Sequence, residues 1–274
     1  MDTSAGLYLA IARGGFRRYS TYRVATLAGA FTNTVFGFIL AATFLALWRA
    51  KPGLGGYGTG QAVTYIWVSQ ALLVTVAAWG GGFQDDIQAR FRTGDIAVDL
   101  YRPVDFLGWW LAAELGRAAF QLLTRGVVPL AVGVLAGQAV LPRSVLTWPV
   151  FLLSVLLAVL VSFGLRFLVS VAAFWLHDAD GLRALMLVVS MFMSGMLLPL
   201  TLFPEGLRQA AQALPWSAII QVPCDVFLER YGDRPLTGRV LGELGFQLLW
   251  AVLLLAAGRL AQALATRRVV VQGG

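Results

Sequence analysis

Few side chains in this sequence have the types and spacing of a reaction centre. His177, the only histidine, stands in HDADGLR with Asp178 and Asp180. One histidine and two carboxylates could bind a metal ion. The favoured interpretation is a polar turn in which Asp180 caps the following helix. A single cysteine, Cys224, excludes an intrachain disulfide and a multi-cysteine metal site. No Ser/His/Asp or Cys/His set can be assembled, so we predict no catalytic residues and no metal.

Nucleotide binding by this chain is not predicted either. A phosphate-binding Walker A loop needs Gly-Lys-Ser/Thr, whereas the only lysine, Lys51, stands in AKPGL. A Gly-x-Gly-x-x-Gly match at Gly53, Gly55 and Gly58 follows a long apolar run and not a β-strand, which favours a flexible loop over a dinucleotide site. We therefore expect this chain to bind no cofactor of its own.

The composition is that of an integral membrane protein. Of 274 residues, 58% are hydrophobic and 13% charged, and the mean hydropathy is +0.75, whereas soluble domains are about a quarter charged. The net charge is +7, and 20 of the 21 basic residues are arginines spread along the edges of apolar runs. This pattern favours lipid headgroups and topology signals over nucleic acid. The N-terminus lacks an uninterrupted apolar segment with a cleavage site, so no removable signal peptide is expected.

The sequence predicts an all-α membrane fold with six transmembrane helices in one domain spanning residues 1–274. Crossing a bilayer takes about 20 mostly apolar residues, and the runs that qualify are 24–48, 62–82, 118–141, 148–176, 183–203 and 244–265. With both termini in the cytoplasm, the inside segments hold thirteen basic residues and the outside loops seven. The positive-inside rule therefore favours an N-in, C-in orientation.

Two of these regions are long for a single crossing. The apolar stretch from Phe106 to Leu141 would reach about 54 Å as one helix, so we place its start, with Asp105, Glu114 and Arg117, at the cytoplasmic interface. The run 148–176 would reach about 43 Å and must tilt or project beyond the lipid.

A charged connection follows the second run, in DDIQARFRTGDIAVDLYRP. Ile87 and Phe91 are four residues apart, as are Ile96 and Leu100, which places apolar side chains on one face of two short helices. Thr93-Gly94-Asp95 is typical of a break between them. With the N-in orientation, residues 84–105 form either a cytoplasmic helix that docks on a soluble partner or a solvated loop.

The segment SGMLLPLTLFPEGLRQAAQALPW, residues 194–216, predicts a short helix outside the membrane spans. Pro204 is suited to a helix start, Leu207, Ala211 and Leu214 recur at helical spacing, and Pro215 ends the run. A second short segment follows, in SAIIQVPCDVFLERYG. We expect residues 204–230 to form two amphipathic helices that lie in, or re-enter, the outer interface.

Several polar or sulfur-containing side chains lie inside the predicted spans. For Arg166 we favour snorkelling, or a pair with Glu114, over a role in transport. Methionines of the fifth span either provide adaptable packing or line a path for apolar cargo. Polar groups of the first two spans form hydrogen bonds between helices or line a cavity. The residues taken as candidates for a translocation path are Asn33, Gln70, Met191, Met193 and Arg166.

The order of these features resembles the permease subunits of ABC-2 type ATP-binding-cassette exporters. The resemblance covers nearly the whole chain: an N-terminal interface helix within residues 1–23, the charged connection after the second span, and a Ser-Gly, Pro, Pro, Leu-Pro pattern after the fifth. It implies that the connection is a coupling helix held by an ATPase, with contacts from Asp85, Asp86, Ile87, Arg90, Phe91 and Arg92. Here the stretch from Ser194 to Pro204 is longer than in the family pattern.

The resemblance also implies the function and the partners. The chain would be a non-enzymatic membrane subunit of an exporter in the cytoplasmic membrane, paired with itself or with a related permease. Separate ATPase subunits would bind ATP and Mg²⁺. The spans offer almost no paired charge for a small ion, so the cargo expected is amphiphilic: a lipid, a lipid-linked glycan or an apolar drug. The alternatives are an ATP-independent carrier or channel and, last, an intramembrane enzyme.

Overall fold

A computed structural model describes residues 3–101, 104–176, 180–230 and 237–266. Their regular structure is helical, with no strand among them. The α-helices are α1 Thr3–Ser20, α2 Arg23–Ala50, α3 Thr59–Leu73, α4 Phe83–Thr93, α5 Ile96–Tyr101, α6 Phe106–Gln121, α7 Val127–Leu135, α8 Thr147–Leu176, α9 Asp180–Met193, α10 Glu205–Ala213, α11 Gln221–Phe227 and α12 Gly238–Thr266. Wider π-helical turns over Leu122–Gly126 join α6 to α7 without a break.

Four helices of the described chain are long and apolar enough to cross a membrane. They are α2, the continuous α6–α7 helix Phe106–Leu135, α8 and α12. Four predicted runs therefore correspond to spanning helices. The run 118–141 ends early, at Leu135, because the chain turns at Gly137, which has a positive φ of 68°. The chain is a multi-pass α-helical protein.

The two other predicted runs, 62–82 and 183–203, contain shorter helices. α3 ends at Leu73, and three glycines with positive φ, Gly80 (74°), Gly81 (86°) and Gly82 (69°), precede α4. α9 ends at Met193, just before Gly195 with a φ of 82°. At 1.5 Å per residue these helices reach about 22 Å, less than the hydrocarbon thickness of about 30 Å. The six-span count stays a prediction.

α8 is the central helix. In its most apolar stretch 72% of residues are buried, against 22–33% in the three other long helices. It packs along α12, where Gly164 allows a close approach to Leu254. α3 is also internal, with every residue from Ala62 to Leu72 buried. A helix that is surrounded by protein and a helix that faces lipid are both apolar. The sequence alone therefore did not show which helices are central.

α1 lies along α6. A Cβ atom at Gly116 would come within 1.9 Å of the Ala12 carbonyl oxygen, and one at Gly15 within 2.3 Å of the Ala113 oxygen. Only glycine permits this spacing of the two backbones. A helix is therefore present where the N-terminal interface helix was predicted, and it is fixed against α6.

The first of the two predicted outer helices has the expected limits, but the second is not the amphipathic helix that was predicted, because it is buried on every side. α10 begins directly after Pro204 and ends before Leu214, and a 3₁₀ turn starts at Pro215. Pro215 is buried, whereas Leu207 is 43% and Leu214 37% exposed. α11 follows and is buried throughout. α10 thus has an open apolar edge, while α11 packs inside the protein.

Candidate functional site

The charged connection folds as two helices, α4 and α5, separated at Gly94, whose φ is 80°. The Thr93 hydroxyl donates a hydrogen bond of 2.8 Å to Asp95 in this break. α4 has Asp85 and Asp86 in its first turn and arginines in its last. This order complements the helix dipole and favours a helix in a short segment that is mostly polar.

α4 has a buried face and an exposed face. Ile87 is 1% exposed and packs with Phe83 and Ile96 in an apolar cluster under the helix. Asp85, Ala89 and Arg92 are exposed on the other side. The Phe91 side chain lies outside what the structure describes. Of the predicted ATPase contacts, Ile87 therefore anchors α4 to its own chain, and the exposed residues are the ones open to a partner.

The charges of α4 also form ion pairs within the chain. Asp86 accepts hydrogen bonds from Arg18 of α1, one of them 2.9 Å long. Arg90 binds Asp99 of α5 at 2.6 Å. Arg18 and Asp99 were not among the predicted site residues, because ion pairing between segments distant in sequence has no local signal.

α4 is also paired with the first turn of α9. Arg92 binds Asp180 at 3.2 Å, and Arg183 donates to Asp85 and to Gln88. Asp180 was predicted as the cap of the fifth span and does begin α9. The remainder of the possible metal site, His177 and Asp178, lies outside the described residues. Within the part that is described, no cluster of potential metal ligands is present.

A buried charged cluster, the Glu114 network, lies where α3, α6 and α8 meet. Arg117 binds Glu114 through Nε at 2.7 Å and through Nη2 at 2.8 Å, and Arg166 donates to the same carboxylate. The side chains of Glu114, Arg117 and Arg166 are 1%, 5% and 6% exposed. The predicted pair of Arg166 with Glu114 is confirmed, and Arg117 is a third member.

The two arginines of this network also bind the chain where α3 has ended. Arg117 donates to the carbonyl oxygens of Val74 at 2.7 Å and Thr75 at 2.8 Å. Arg166 donates to the Gly81 oxygen at 3.2 Å. A helix C-terminus leaves carbonyl groups without intrahelical partners and has a partial negative charge. The guanidinium groups donate hydrogen bonds to these carbonyl groups and balance the negative charge. They also fix the glycine turn, Gly80–Gly82, that leads into α4.

A cavity of about 340 Å³ opens beside this turn, between α8 and α9. Its lining combines apolar side chains, among them Leu165, Met186, Leu187 and Ile219, with polar ones, among them Gln84, Ser162, Arg166, Ser190 and Ser194. Such a mixed lining fits a ligand that has both an apolar body and a polar group.

Of the predicted path residues, Arg166 lies in this cavity. Asn33 is elsewhere, beside Arg125, and Gln70 is buried on α3. Met191 and Met193 are partly exposed on α9, while Met186 from the same helix is in the cavity wall. Met186 belongs to the methionine pattern of the fifth predicted span, although it was not among the residues selected for the path.

A second buried cluster, the Gln221 network, joins α11 to α3 and to two loops. The Gln221 amide accepts from Tyr65 at 3.0 Å and from the Leu200 N–H at 2.9 Å. It donates to Asp225 at 2.8 Å. Tyr57 also donates to Asp225 at 2.8 Å. Arg230 stacks on the Tyr57 ring, 3.7 Å from its centre, with its Nη1 3.4 Å from Asp225. Sequence analysis missed this cluster.

Comparison with known proteins adds the family. Curated proteins give no match to the chain. The sequence model of the family described as ABC-2 family transporter protein matches residues 19–273, nearly the whole chain, including the charged connection, both buried networks and the cavity lining. A match of this extent shows membership, and the chain belongs to the ABC-2 family of transporter membrane proteins.

Proposed function

We propose that this chain is the permease subunit of an ATP-driven exporter in the cytoplasmic membrane, with six crossings and both termini in the cytoplasm. It would work as a dimer, with itself or with a related permease, and bind separate ATPase subunits that hold ATP and Mg²⁺. Residues 84–105 would be the coupling segment, and residues 204–230 the outer re-entrant helices. Family membership implies pairing with an ATP-binding-cassette subunit.

One observation carries the coupling role: α4 connects an exposed surface to the cavity. Its exposed residues Asp85 and Arg92 pair with the first turn of α9, and Gln84 of the same helix lies in the cavity wall. A push on α4 would therefore act on both sides of the cavity. Two states of this unit would give alternating access, the change that ATP binding must drive.

The proposed ATPase contact is the exposed face of α4 with the groove next to it. This groove, about 730 Å³, lies between α1, α4 and α6 and is lined by Ala89 together with Leu7, Ile11 and Trp109. A helix or loop of a soluble subunit that enters such a groove would bury apolar surface beside charged residues, the usual composition of a specific interface.

Co-purification from the native membrane tests this contact. Removal of α4 would also remove the buried Ile87, so single substitutions at exposed positions are preferable. Ala89→Arg and Arg92→Glu should abolish recovery of the ATPase while the chain stays in the membrane. Arg49→Glu is the matched control, because Arg49 is exposed in the last turn of α2, away from α4. This variant should retain the ATPase. Normal recovery with Ala89→Arg would contradict the proposal.

For the cargo we propose an amphiphile whose polar group reaches Ser190 and Ser194 in the cavity. Ser190→Phe should fill this space and reduce ATP-dependent export of a labelled phospholipid from reconstituted vesicles, with the ATPase still bound. The alternative, an ATP-independent carrier, predicts solute movement by the chain alone under a proton or sodium gradient. That result would replace the exporter proposal.

A further inference from the structure

Arg125 has an unusual position in the third span. It lies in the π-helical turns between α6 and α7, and its guanidinium group packs directly on α2 at Gly29. A Cβ atom at Gly29 would lie 2.4 Å from Arg125 Cζ and 2.5 Å from Nε. The absence of a side chain at Gly29 thus creates the space that the guanidinium occupies.

This guanidinium has no acidic partner within the described part of the chain. Arg117 and Arg166, by contrast, share the carboxylate of Glu114. The hydrogen bond of Arg125 is a long one, 3.4 Å from Nη2 to Asn33 Oδ1. An arginine within a span is costly unless it meets an anion or water, so an anion from outside the described chain is the expected partner.

Two of the unused polar atoms at this point are donors. Arg125 Nε and Asn33 Nδ2 are buried without a hydrogen-bond partner, and Asn33 is only 5% exposed. Arg125 itself is partly exposed, so a ligand can reach its outer edge. Several donors together with a positive charge recognise an anion with several acceptor oxygens, and phosphate is the common biological group of this kind.

The depth in the membrane indicates the source of the phosphate. Gly29 and Asn33 lie six and ten residues after Arg23, the start of α2, or about 9 and 15 Å along the helix. This is within reach of the headgroup region for a long arginine side chain. Exposed apolar side chains lie one turn away along both helices: Phe36, three residues after Asn33, is 53% exposed, and Val128, three residues after Arg125, is 44% exposed. Acyl chains can cover these residues, whereas free phosphate cannot.

We propose that Arg125 and Asn33 form a binding site for the phosphate of an anionic phospholipid, on the lipid-facing side of the α2 and α6–α7 contact. The lipid would be a bound structural component held at the level of the π-helical turns. This proposal uses the membrane location of the chain and does not depend on the transported cargo or on the ATPase contact.

Native mass spectrometry of the purified full chain, with its accompanying subunits, tests the site. After delipidation in detergent the protein is titrated with dioleoyl phosphatidylglycerol or with dioleoyl phosphatidylcholine. Arg125→Gln should weaken the tightest phosphatidylglycerol site about fivefold, the effect of one basic side chain at an anionic surface, and leave phosphatidylcholine unchanged. Arg49→Gln, exposed at the other end of α2, is the control and should bind as the unmodified protein does.

Three outcomes would overturn the proposal. They are equal phosphatidylglycerol binding by the unmodified chain and Arg125→Gln, an equal loss in Arg49→Gln, and displacement of the lipid by millimolar inorganic phosphate. If Arg125→Gln does not insert, Asn33→Leu provides the second test. It should also weaken phosphatidylglycerol binding, and unchanged phosphatidylglycerol binding in that variant would again refute the site.

Discussion

The Glu114 network and the Gln221 network are both buried, yet they differ in charge. Glu114 faces two guanidinium groups, all three side chains at most 6% exposed. The Gln221 network consists largely of neutral amide, phenol and backbone groups. Its carboxylate, Asp225, pairs with Arg230, whose side chain is 19% exposed, among the residues that the structure describes. Loss of one member of a buried charged set leaves an uncompensated charge, whereas loss of a neutral member leaves one unmade hydrogen bond.

The two networks also differ in the elements that they join. The Glu114 network holds the end of α3 and the glycine turn before α4, so it lies between the proposed ATPase contact and the cavity. The Gln221 network fastens α11 to α3 at Tyr65. We infer that the Glu114 network stabilises one of two arrangements of α4 and the glycine turn during transport. The Gln221 network, in contrast, would hold α11 in one fixed position.

The largest expected effect is that of Glu114→Gln. This substitution would leave Arg117 and Arg166 side by side without their carboxylate. The free energy of unfolding should fall by about 3–5 kcal/mol. The measurement is unfolding in detergent, followed with the yield of membrane-inserted protein. A loss below about 1 kcal/mol would show that the two arginines are compensated by backbone carbonyl groups alone.

Asp225→Asn, the matching change in the other network, should cost less. The amide can still accept one hydrogen bond, but its NH₂ group would face the donors Tyr57 or Gln221. Arg230 also loses its carboxylate partner, but it is 19% exposed, so its charge is not left fully buried. The expected loss in the free energy of unfolding is therefore about 1–3 kcal/mol, the cost of one unsatisfied buried polar group. The same unfolding measurement applies. An effect equal to that of Glu114→Gln would remove the distinction between the networks.

Gly81→Ala tests whether the glycine turn transmits motion. With φ at 86°, alanine there costs about 1–2 kcal/mol. ATPase activity in the complex should persist while export falls, because the turn joins α4 to the cavity. Gly137→Ala, at a positive φ of 68° with no neighbour within 4 Å, is the control: it should lose similar stability with export intact. Equal export in both variants would contradict a transmitting role.

The sequence predicted the elements with strong local signals. The N-terminal helix, the break at Gly94 and the start of α10 after Pro204 are where the sequence predicts them, and three of the four long apolar helices match their predicted runs to within about six residues. The run 118–141 is the exception, since its helix spans Phe106–Leu135. Each of them depends on residues within a few positions along the chain: apolar runs, a glycine with positive φ, or a proline at a helix start.

Contacts between distant segments were harder to predict. Arg183 and Asp85 are 98 positions apart, and nothing near either residue indicates the other. Arg117 was placed at the interface by its charge, whereas its buried position follows from carbonyl groups that the early end of α3 exposes. The pair of Arg166 and Glu114 could be anticipated because a buried charge in a span requires a partner and few were available.

The smallest expected effect on stability concerns Glu229, which follows α11 two residues after its end at Phe227. Partial burial alone would raise the pKa of Glu229, but hydrogen bonds from the Thr147 hydroxyl and the Ser144 and Arg143 N–H groups lower it overall. A lowered pKa in the folded state means that the carboxylate stabilises the fold above the unfolded-state pKa. This contribution is lost as pH falls through the folded-state pKa.

Glu229→Gln should therefore lower the free energy of unfolding by about 1 kcal/mol or less at neutral pH, as for a helix cap. The difference between the two proteins should vanish in acid. Thermal unfolding of both proteins from pH 7 to pH 3 measures it, and a difference that persists at pH 3 would assign the effect to packing at the start of α8.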